Sequence, residues 1–269
     1  MINSTLKFIR YPGGKQRLLQ YLIPYLPQRE EIKGYFIEPF VGSGAVFFAI
    51  SPKKAILSDI NPTLIDLYLG LQKHPLAVWD IFRRFPSTKE GYYQIRDSDI
   101  KMDLDYRAAR ALYLNRTCFK GMWRENANGQ FNVGYGGEDR RWVISKETLL
   151  LISRFLKKVK LLISDFEEII SNCIKDDFIF LDPPYKPGEK ELKHNHYIYA
   201  KFTFNDHNRL AIALKKATEK GVLWAMTLSS HQDILNLYKN IKIIPIKRGT
   251  GNKPGLLSNK SGEVLIRNY

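Results

Sequence analysis

The chain has 269 residues, and its 42 lysines and arginines outnumber its 27 aspartates and glutamates, which gives a formal net charge of +15. Hydrophobic residues make up 44% of the sequence and aromatic residues 13%, which is enough for a sizeable core and excludes a disordered or collagen-like chain. No apolar run approaches the roughly 18–20 residues that span a bilayer, so the composition predicts a soluble, cytoplasmic protein whose first candidate partner is nucleic acid.

Short apolar runs alternate with helical patterns at the start of the chain. Residues 34–39 predict a buried strand, residues 41–50 predict a glycine loop that leads into a helix, and residues 54–58 predict a second strand. Asn61 is the expected cap of the next helix, because its side chain can accept from a free N–H group and Pro62 suits the first helical position. This order of elements is typical of a parallel sheet.

Helical patterns dominate residues 74–158, and we interpret this region as an insertion into the sheet. The sheet pattern then resumes, with strands predicted at residues 159–163, 178–181, 222–227, 241–246 and 263–268. The last two runs are expected to pair as an antiparallel hairpin. The sequence therefore predicts an α/β fold with a Rossmann-like sheet formed by residues 1–73 and 159–269, a terminal antiparallel hairpin and a helical insertion.

The loop Phe40-Val41-Gly42-Ser43-Gly44 follows the first predicted strand. Two glycines let the backbone approach a ligand closely, and a helix N-terminus favours hydrogen-bond acceptors. Asp59, at the end of the next strand, lies where nucleotide-binding α/β folds place a carboxylate for ribose hydroxyls. Phe47 replaces the third glycine of the dinucleotide fingerprint, so the pattern favours an adenosine-type cofactor. A tight turn with a helix-capping aspartate is the alternative.

The segment Asp182-Pro183-Pro184-Tyr185 directly follows the apolar strand 178–181, so it lies at the carboxyl edge of the sheet, where α/β proteins bind ligands. Two prolines stiffen the backbone, and the carbonyl of Pro183 can accept a hydrogen bond. The Asp182 carboxylate is a second acceptor, and Tyr185 offers a flat aromatic face. This combination suits the exocyclic amino group of a stacked base, whose nitrogen lone pair is then turned towards an electrophile.

Further motifs extend this pattern along the chain, namely Tyr11-Pro12-Gly13-Gly14-Lys15, Asp59-Ile60-Asn61, Asn115-Arg116, Phe131-Asn132-Val133 and Asp165-Phe166. Together with the glycine loop and the Asp-Pro-Pro-Tyr motif, they resemble the DNA adenine methylases. These are N6-adenine methyltransferases whose motifs run in the order cofactor loop, target-recognition region and catalytic motif. The resemblance covers nearly the whole chain.

The resemblance implies S-adenosylmethionine as the cofactor, with Asp59 on its ribose hydroxyls and Asp165-Phe166 near its adenine. The target adenine is expected to be flipped out of the duplex and stacked on Tyr185, because N6 lies on the edge that base pairing occupies. No metal is expected. The implied catalytic residues are Asp182, Pro183, Pro184 and Tyr185. The implied cofactor-binding residues are Tyr11, Gly13, Lys15, Glu38, Phe40, Gly42, Ser43, Gly44, Asp59, Ile60, Asp165, Phe166 and Asp182.

Double-stranded DNA is the expected partner, and the insertion is expected to recognise it. Residues 83–124 contain ten basic residues against five acidic ones. For any single basic residue a solvated helix face is the simpler interpretation, but arginine can bind guanine O6 and N7 together, so Arg124 is expected to contact a base. By resemblance, the DNA-binding residues are Arg116, Lys120, Met122, Arg124, Asn132 and Tyr135.

Three positions depart from the family pattern. Tyr11 stands where the family usually has tryptophan, which keeps an aromatic surface. Lys120 replaces a frequent asparagine, and Gly134 replaces a usual proline. The last two changes fall in the recognition segment, so the family's common target GATC is an expectation that these positions put in question.

Two other functions fit parts of the pattern. An N4-cytosine DNA methyltransferase presents a similar amine to the methyl donor, although such enzymes more often carry serine at the position of Asp182. A catalytically silent DNA-binding module is the second alternative. A C5-cytosine enzyme needs a cysteine nucleophile, usually after proline, whereas Cys118 follows Thr117 and Cys173 follows Asn172. The protein is expected to be a nucleoid-associated monomer, either solitary or paired with a separate restriction endonuclease.

Overall fold

The computed structural model describes most of the chain. The described residues are 6, 9–98, 102–126, 128–137, 144–184, 202–239, 241–246, 248–249, 257–258 and 263–269. Tyr185 and most of the polar segments after it lie outside these ranges. None of the described helices combines the length and the apolar character that are needed to cross a membrane.

Nine strands are found in the described residues. They are β1 (Phe36–Glu38), β2 (Ala55–Asp59), β3 (Val159–Ile163), β4 (Phe178–Leu181), β5 (Leu223–Ser229), β6 (Lys242–Pro245), β7 (Arg248–Gly249), β8 (Leu257–Ser258) and β9 (Glu263–Arg267). Seven of them form one sheet in the order β3-β2-β1-β4-β5-β9-β6, and β7 pairs with β8 separately. The strands from β3 to β5 in this order are parallel, whereas β9 is antiparallel to both neighbours. The predicted α/β fold with a terminal antiparallel pair is confirmed.

The order of the strands reverses at β1. Phe36 and Ile37 pair with β2 on one side and with β4 on the other, and every residue of β1 and β4 is buried. The chain proceeds outwards through β2 and β3, and then returns to continue on the opposite side through β4 and β5. In open α/β sheets, ligands bind at the carboxyl ends of the strands where this reversal occurs.

Ten helices accompany the described strands. They are α1 (Leu19–Leu22), α2 (Ala45–Ile50), α3 (Pro62–Lys73), α4 (Pro75–Phe82), α5 (Lys89–Arg96), α6 (Leu104–Thr117), α7 (Lys146–Leu156), α8 (Phe166–Ser171), α9 (Phe204–Glu219) and α10 (Gln232–Leu235). Asn61 caps α3 as expected, since its Oδ1 accepts from the N–H of Leu64 at 3.2 Å. The sequence pattern does not predict α1, α8 or α10, because helices of four to six residues are too short to show a clear period of 3.6 residues.

The helices of residues 74–158 pack directly on the sheet domain. Helix α6 crosses α3 at Gly70, where an added methyl group would overlap the Cβ of Ala108. Buried side chains of α2, α3, α4, α6 and α7 belong to one apolar core, those of α8 and α9 belong to a second, and β5 and β9 contribute side chains to both. The region is helical and shares a core with the sheet domain, while its definition as a recognition domain with these boundaries stays a prediction.

We expect Gly70→Ala to lower the free energy of unfolding by about 1–2 kcal/mol. Overpacking a dense core costs about 1–3 kcal/mol, and the higher helix propensity of alanine offsets up to ~1 kcal/mol. Urea unfolding measures the change. Gly134→Ala is the matched control, because its methyl group would lie 3.7 Å from the Tyr93 hydroxyl in ordinary contact. Equal stability of the two variants would contradict a tight crossing of α3 and α6.

Candidate active site

A cavity of about 670 Å³ opens at the carboxyl ends of β1, β2 and β4. The predicted site residues that line it are Tyr11, Gly13, Lys15, Glu38, Phe40, Gly42, Ser43, Asp59, Ile60, Met122, Asp165, Phe166, Asp182, Pro183 and Pro184. Gly44 does not line the cavity; it is the N-cap residue that precedes α2, with a φ of 64°. The structure therefore brings together motifs from the N-terminus, the first two strands, the helical region and the strand β4.

The glycine loop allows the backbone to approach the cavity closely. Gly42 has a φ of 46°, in the left-handed region that favours glycine. A Cβ at this position would lie 3.1 Å from the ring of Tyr11. The N–H of Gly42 donates to Asp59 Oδ2 at 3.2 Å, and its carbonyl accepts from the Tyr68 hydroxyl at 3.0 Å. The backbone of Gly42 is thus fixed by its contacts with Tyr11, Asp59 and Tyr68.

Two buried carboxylates lie at the ends of β1 and β2. Burial raises the pKa of Asp59 to about 6, although the N–H groups of Asn61 and Gly42 donate to its two oxygens and partly offset this cost. Burial and the nearby charge of Asp182 raise the pKa of Glu38 well above its usual value. Buried acceptors of this kind suit a ligand that brings its own donors or a positive charge.

Asp182 follows the last residue of β4 and forms an ion pair with Lys15. The distance from Lys15 Nζ to Asp182 Oδ1 is 2.6 Å, and the same nitrogen donates to the carbonyl of Gly13 at 2.8 Å. Lys15 is buried, with 4% of its side chain exposed, so solvent screens this pair weakly. The N-terminal motif and the Asp-Pro-Pro motif therefore meet through a direct contact of opposite charges.

An aromatic cluster forms another part of the cavity. The rings of Phe40 and Phe166 stack with centroids 5.5 Å apart, and Phe202 meets Phe40 edge-on at 5.7 Å. Arg209 on α9 pairs with Asp165 at 2.8 Å, and its guanidinium lies 4.9 Å from the centroid of Phe166. These contacts position flat apolar faces beside the acidic groups of the cavity.

Residues after α6 contribute a third part of the cavity. Trp123 and Glu125 are buried and line it, and the ring of Trp123 lies 5.5 Å from that of Tyr11. Glu125 Oε1 accepts from Asn61 Nδ2 and from Trp123 Nε1, both at 3.3 Å. Burial raises the pKa of Glu125. The segment that follows α6 is thus joined to the cap of α3, beside Asp59.

Arg124 lies between these two inward residues and contacts Asn132. Its Nε donates to Asn132 Oδ1 at 2.7 Å, and its Nη2 donates to the carbonyl of Asn132 at 3.1 Å. The N–H of Asn132 donates in turn to the carbonyl of Arg124 at 3.1 Å. Neither residue lines the cavity. The segment therefore presents Trp123 and Glu125 to the cavity and holds Arg124 against a neighbouring chain segment.

Residues 11–251 match the family of D12 class N6 adenine-specific DNA methyltransferases. The chain belongs to this family. Its relatives include two Type II methyltransferases. M1.LlaDCHI of Lactococcus lactis subsp. cremoris shares 32% identity over 97% of this chain and 95% of its own length. M.MjaIII of Methanocaldococcus jannaschii shares 34% identity over 97% of this chain and 98% of its own length. The DNA adenine methylase of Vibrio cholerae shares 30% identity over 96% of this chain and 94% of its own length.

The predicted activity is confirmed by this membership. This D12-class methyltransferase is an enzyme that transfers a methyl group from S-adenosylmethionine to N6 of adenine in DNA. The two alternatives, an N4-cytosine enzyme and a catalytically silent DNA-binding module, are set aside. The cavity suits the cofactor, since it combines the glycine loop with aromatic faces and buried carboxylates.

The other predicted DNA-binding residues lie outside the cavity of the methyltransferase. Arg116 is buried, and burial together with the nearby charge of Arg10 lowers its pKa to about 10. Lys120 is exposed and has a φ of 56°. The hydroxyl of Tyr135 donates to the carbonyl of Ser87 at 3.1 Å. The role of these positions in binding DNA stays a prediction.

Several residues of the site are not predicted from the sequence. Arg10 packs against Gly121 and lies beside Lys120, next to the predicted recognition residues. Glu125 and Thr227 contact site residues from distant segments. Arg10 directly precedes the motif that begins at Tyr11, so its position was a usable signal. Glu125 directly follows Arg124 and carries the same kind of signal, whereas only the tertiary structure brings Thr227 next to Asp182.

Proposed function

We propose that the cavity holds S-adenosylmethionine between the glycine loop, Asp59 and the aromatic cluster. Asp59 is oriented by two backbone N–H groups and accepts from the ribose hydroxyls. Phe40 and Phe166 provide flat faces for the adenine ring, and Asp165 lies at their edge of the cavity. When bound, the cofactor supplies an electrophilic methyl group on a positively charged sulfonium, which the surrounding carboxylates and aromatic faces suit.

We further propose that Asp182 and the carbonyl of Pro183 hold the amino group of the target adenine. The single observation that supports this assignment is the position of Asp182, Pro183 and Pro184 at the cavity, next to the buried Lys15. Accepting the two N–H bonds turns the nitrogen lone pair towards the methyl group, so positioning is the main catalytic contribution. The N–C bond forms as the C–S bond breaks, its electron pair goes to sulfur, and N6 loses one proton to solvent.

The target adenine is proposed to leave the duplex before the reaction. N6 lies on the edge that base pairing occupies, so a carboxylate that lines a cavity, such as Asp182, reaches it only after the base is flipped out. Tyr185, which lies outside the described residues, is the proposed stacking partner. Arg116, Lys120, Met122, Arg124, Asn132 and Tyr135 remain the proposed contacts of the 74–158 recognition region, and GATC remains the proposed target.

The partner and the cellular role are also proposals. Two of the relatives are named Type II methyltransferases, which supports a role beside a separate restriction endonuclease, and others are named DNA adenine methylases. We propose that the protein acts as a monomer, as expected from the sequence. The net charge of +15 supports association with the nucleoid.

Cofactor binding is expected to weaken at acidic pH. Ribose hydroxyls bind the ionised form of Asp59, whose pKa is about 6, so protons compete with the ligand below that pH. The affinity for S-adenosylhomocysteine should fall by about tenfold for each pH unit below 6. Calorimetry between pH 5 and 8 measures this dependence. Asp59→Asn should bind weakly with a flatter profile, and a flat wild-type profile would exclude Asp59 from ribose binding.

Asp182→Asn should abolish methyl transfer and leave DNA binding intact, because asparagine keeps the size of the side chain but removes one of the two acceptor oxygens. Methylation-sensitive sequencing of DNA from a methylation-free host that expresses the protein gives the modified base and its context. Asp80→Asn is the matched control, since Asp80 is exposed on α4. Unchanged modification by Asp182→Asn would refute the proposed mechanism.

Arg124→Ala should relax sequence preference by about 1–3 kcal/mol at one base pair, the usual loss when an arginine contact to a base is removed. Among the described residues its hydrogen-bond partner is Asn132, which leaves three of its five N–H groups for a base. Methylation rates on oligonucleotides with single substitutions measure the change, with Arg154→Ala on the exposed side of α7 as control. An equal loss on every sequence would make Arg124 a phosphate contact.

A further inference from the structure

Thr227 is a buried polar residue in an apolar strand. It lies in β5, where its neighbours Trp224, Ala225, Met226 and Leu228 are all buried and apolar. Thr227 itself is also fully buried. Burying a hydroxyl group costs free energy unless it forms a hydrogen bond, and valine has nearly the same shape without that cost. The position therefore requires an explanation beyond packing.

The register of the sheet places Thr227 beside Asp182. Strands β4 and β5 are parallel, and the last residues paired between them are Leu181 and Met226. Asp182 follows Leu181 in the chain, and Thr227 follows Met226, so these two residues come next on the two sides of the pairing. The opposite side of Thr227 is paired with Leu265 of β9. The backbone of Thr227 is thus paired with β9, whereas Asp182 begins the loop that leaves the sheet.

The hydroxyl of Thr227 donates to Asp182 Oδ1 at 2.7 Å. Its alternative acceptor, the carbonyl of Leu181, lies at 3.4 Å, so the carboxylate is the better partner. The ammonium of Lys15 contacts the same oxygen. Among the described residues, the shortest contacts of the Asp182 side chain with Thr227 and with Lys15 are therefore both made by Oδ1.

We propose that Thr227 is a positioning residue for methyl transfer: its hydrogen bond fixes the orientation of Asp182, so that Oδ2 is presented to the amino group of the target adenine. This inference rests on the proposed role of Asp182. Thr227 acts through Asp182 and does not contact the base.

Thr227 and Lys15 make different contributions to this arrangement. Lys15 supplies charge through a flexible side chain, and it also binds the carbonyl of Gly13. The hydroxyl of Thr227 is carried on a short side chain, and its strand is buried in the sheet. A directional hydrogen bond from a rigid position fixes the rotation of the carboxylate, which a point charge does not. Removal of the hydroxyl is thus expected to leave Asp182 paired but less well oriented.

The test compares Thr227→Val, which removes the hydroxyl at nearly constant volume, with Thr227→Ser, which keeps it. The rate of methyl transfer in a single turnover should fall about 10- to 100-fold in Thr227→Val, as small misplacements of catalytic groups do. The dissociation constants for S-adenosylhomocysteine and for target DNA should change less than about threefold, because misplacing a catalytic group affects the reaction more than it affects binding. Thr227→Ser should restore the rate to within about threefold of the wild type.

Two outcomes would overturn the proposal. One is a wild-type rate in Thr227→Val, and the other is a Thr227→Ser enzyme as slow as Thr227→Val. If Thr227→Val does not fold, as judged by thermal melting, Thr227→Ala is compared with Thr227→Ser by the same criteria. Asp182→Asn separates this inference from the proposed mechanism: an inactive Asp182→Asn beside a fully active Thr227→Val would refute only the role of Thr227.

Discussion

The parallel pairing of β1 with β4 is the constraint on which the active site depends. Ile37 pairs with Ile179, so the residues that follow these two strands meet at one edge of the sheet although they are far apart in the chain. Strand β2 lies on the other side of β1 and brings Asp59 to the same edge. Because the three strands run in one direction, the loops that follow them open into a single cavity.

This cavity concentrates acidic groups inside a basic protein. Glu38, Asp59 and Asp182 lie there, and burial is costly for each charge that lacks a partner. Backbone N–H groups offset this cost at Asp59, and Lys15 and Thr227 offset it at Asp182. A cationic methyl donor and an amino group suit this interior, whereas the net charge of +15 suits the phosphates of DNA.

The short segment after α6 belongs to both the cavity and the proposed DNA-binding region. Trp123 and Glu125 face the cavity, and Arg124 between them contacts Asn132. The hydrogen bond from Asn61 to Glu125 joins this segment to the cap of α3, next to Asp59. The helical region also shares its apolar core with α2 and α3. The proposed recognition region and the cofactor cavity therefore share one apolar core and a direct hydrogen bond.

The sequence by itself determined the fold class through its alternating strand and helix patterns, and it indicated the family and most of the residues that line the cavity through its resemblance to the DNA adenine methylases. Asp59, Asp182 and the cap at Asn61 also follow from local geometry, because carboxylates at strand ends and polar caps at helix starts have few alternative positions. Only the tertiary structure decided which side chains support them. Thr227 reaches Asp182 through the register of β5, and Glu125 reaches Asn61 through the path of the chain after α6. Such contacts join residues far apart in sequence, and short-range patterns carry no information about them.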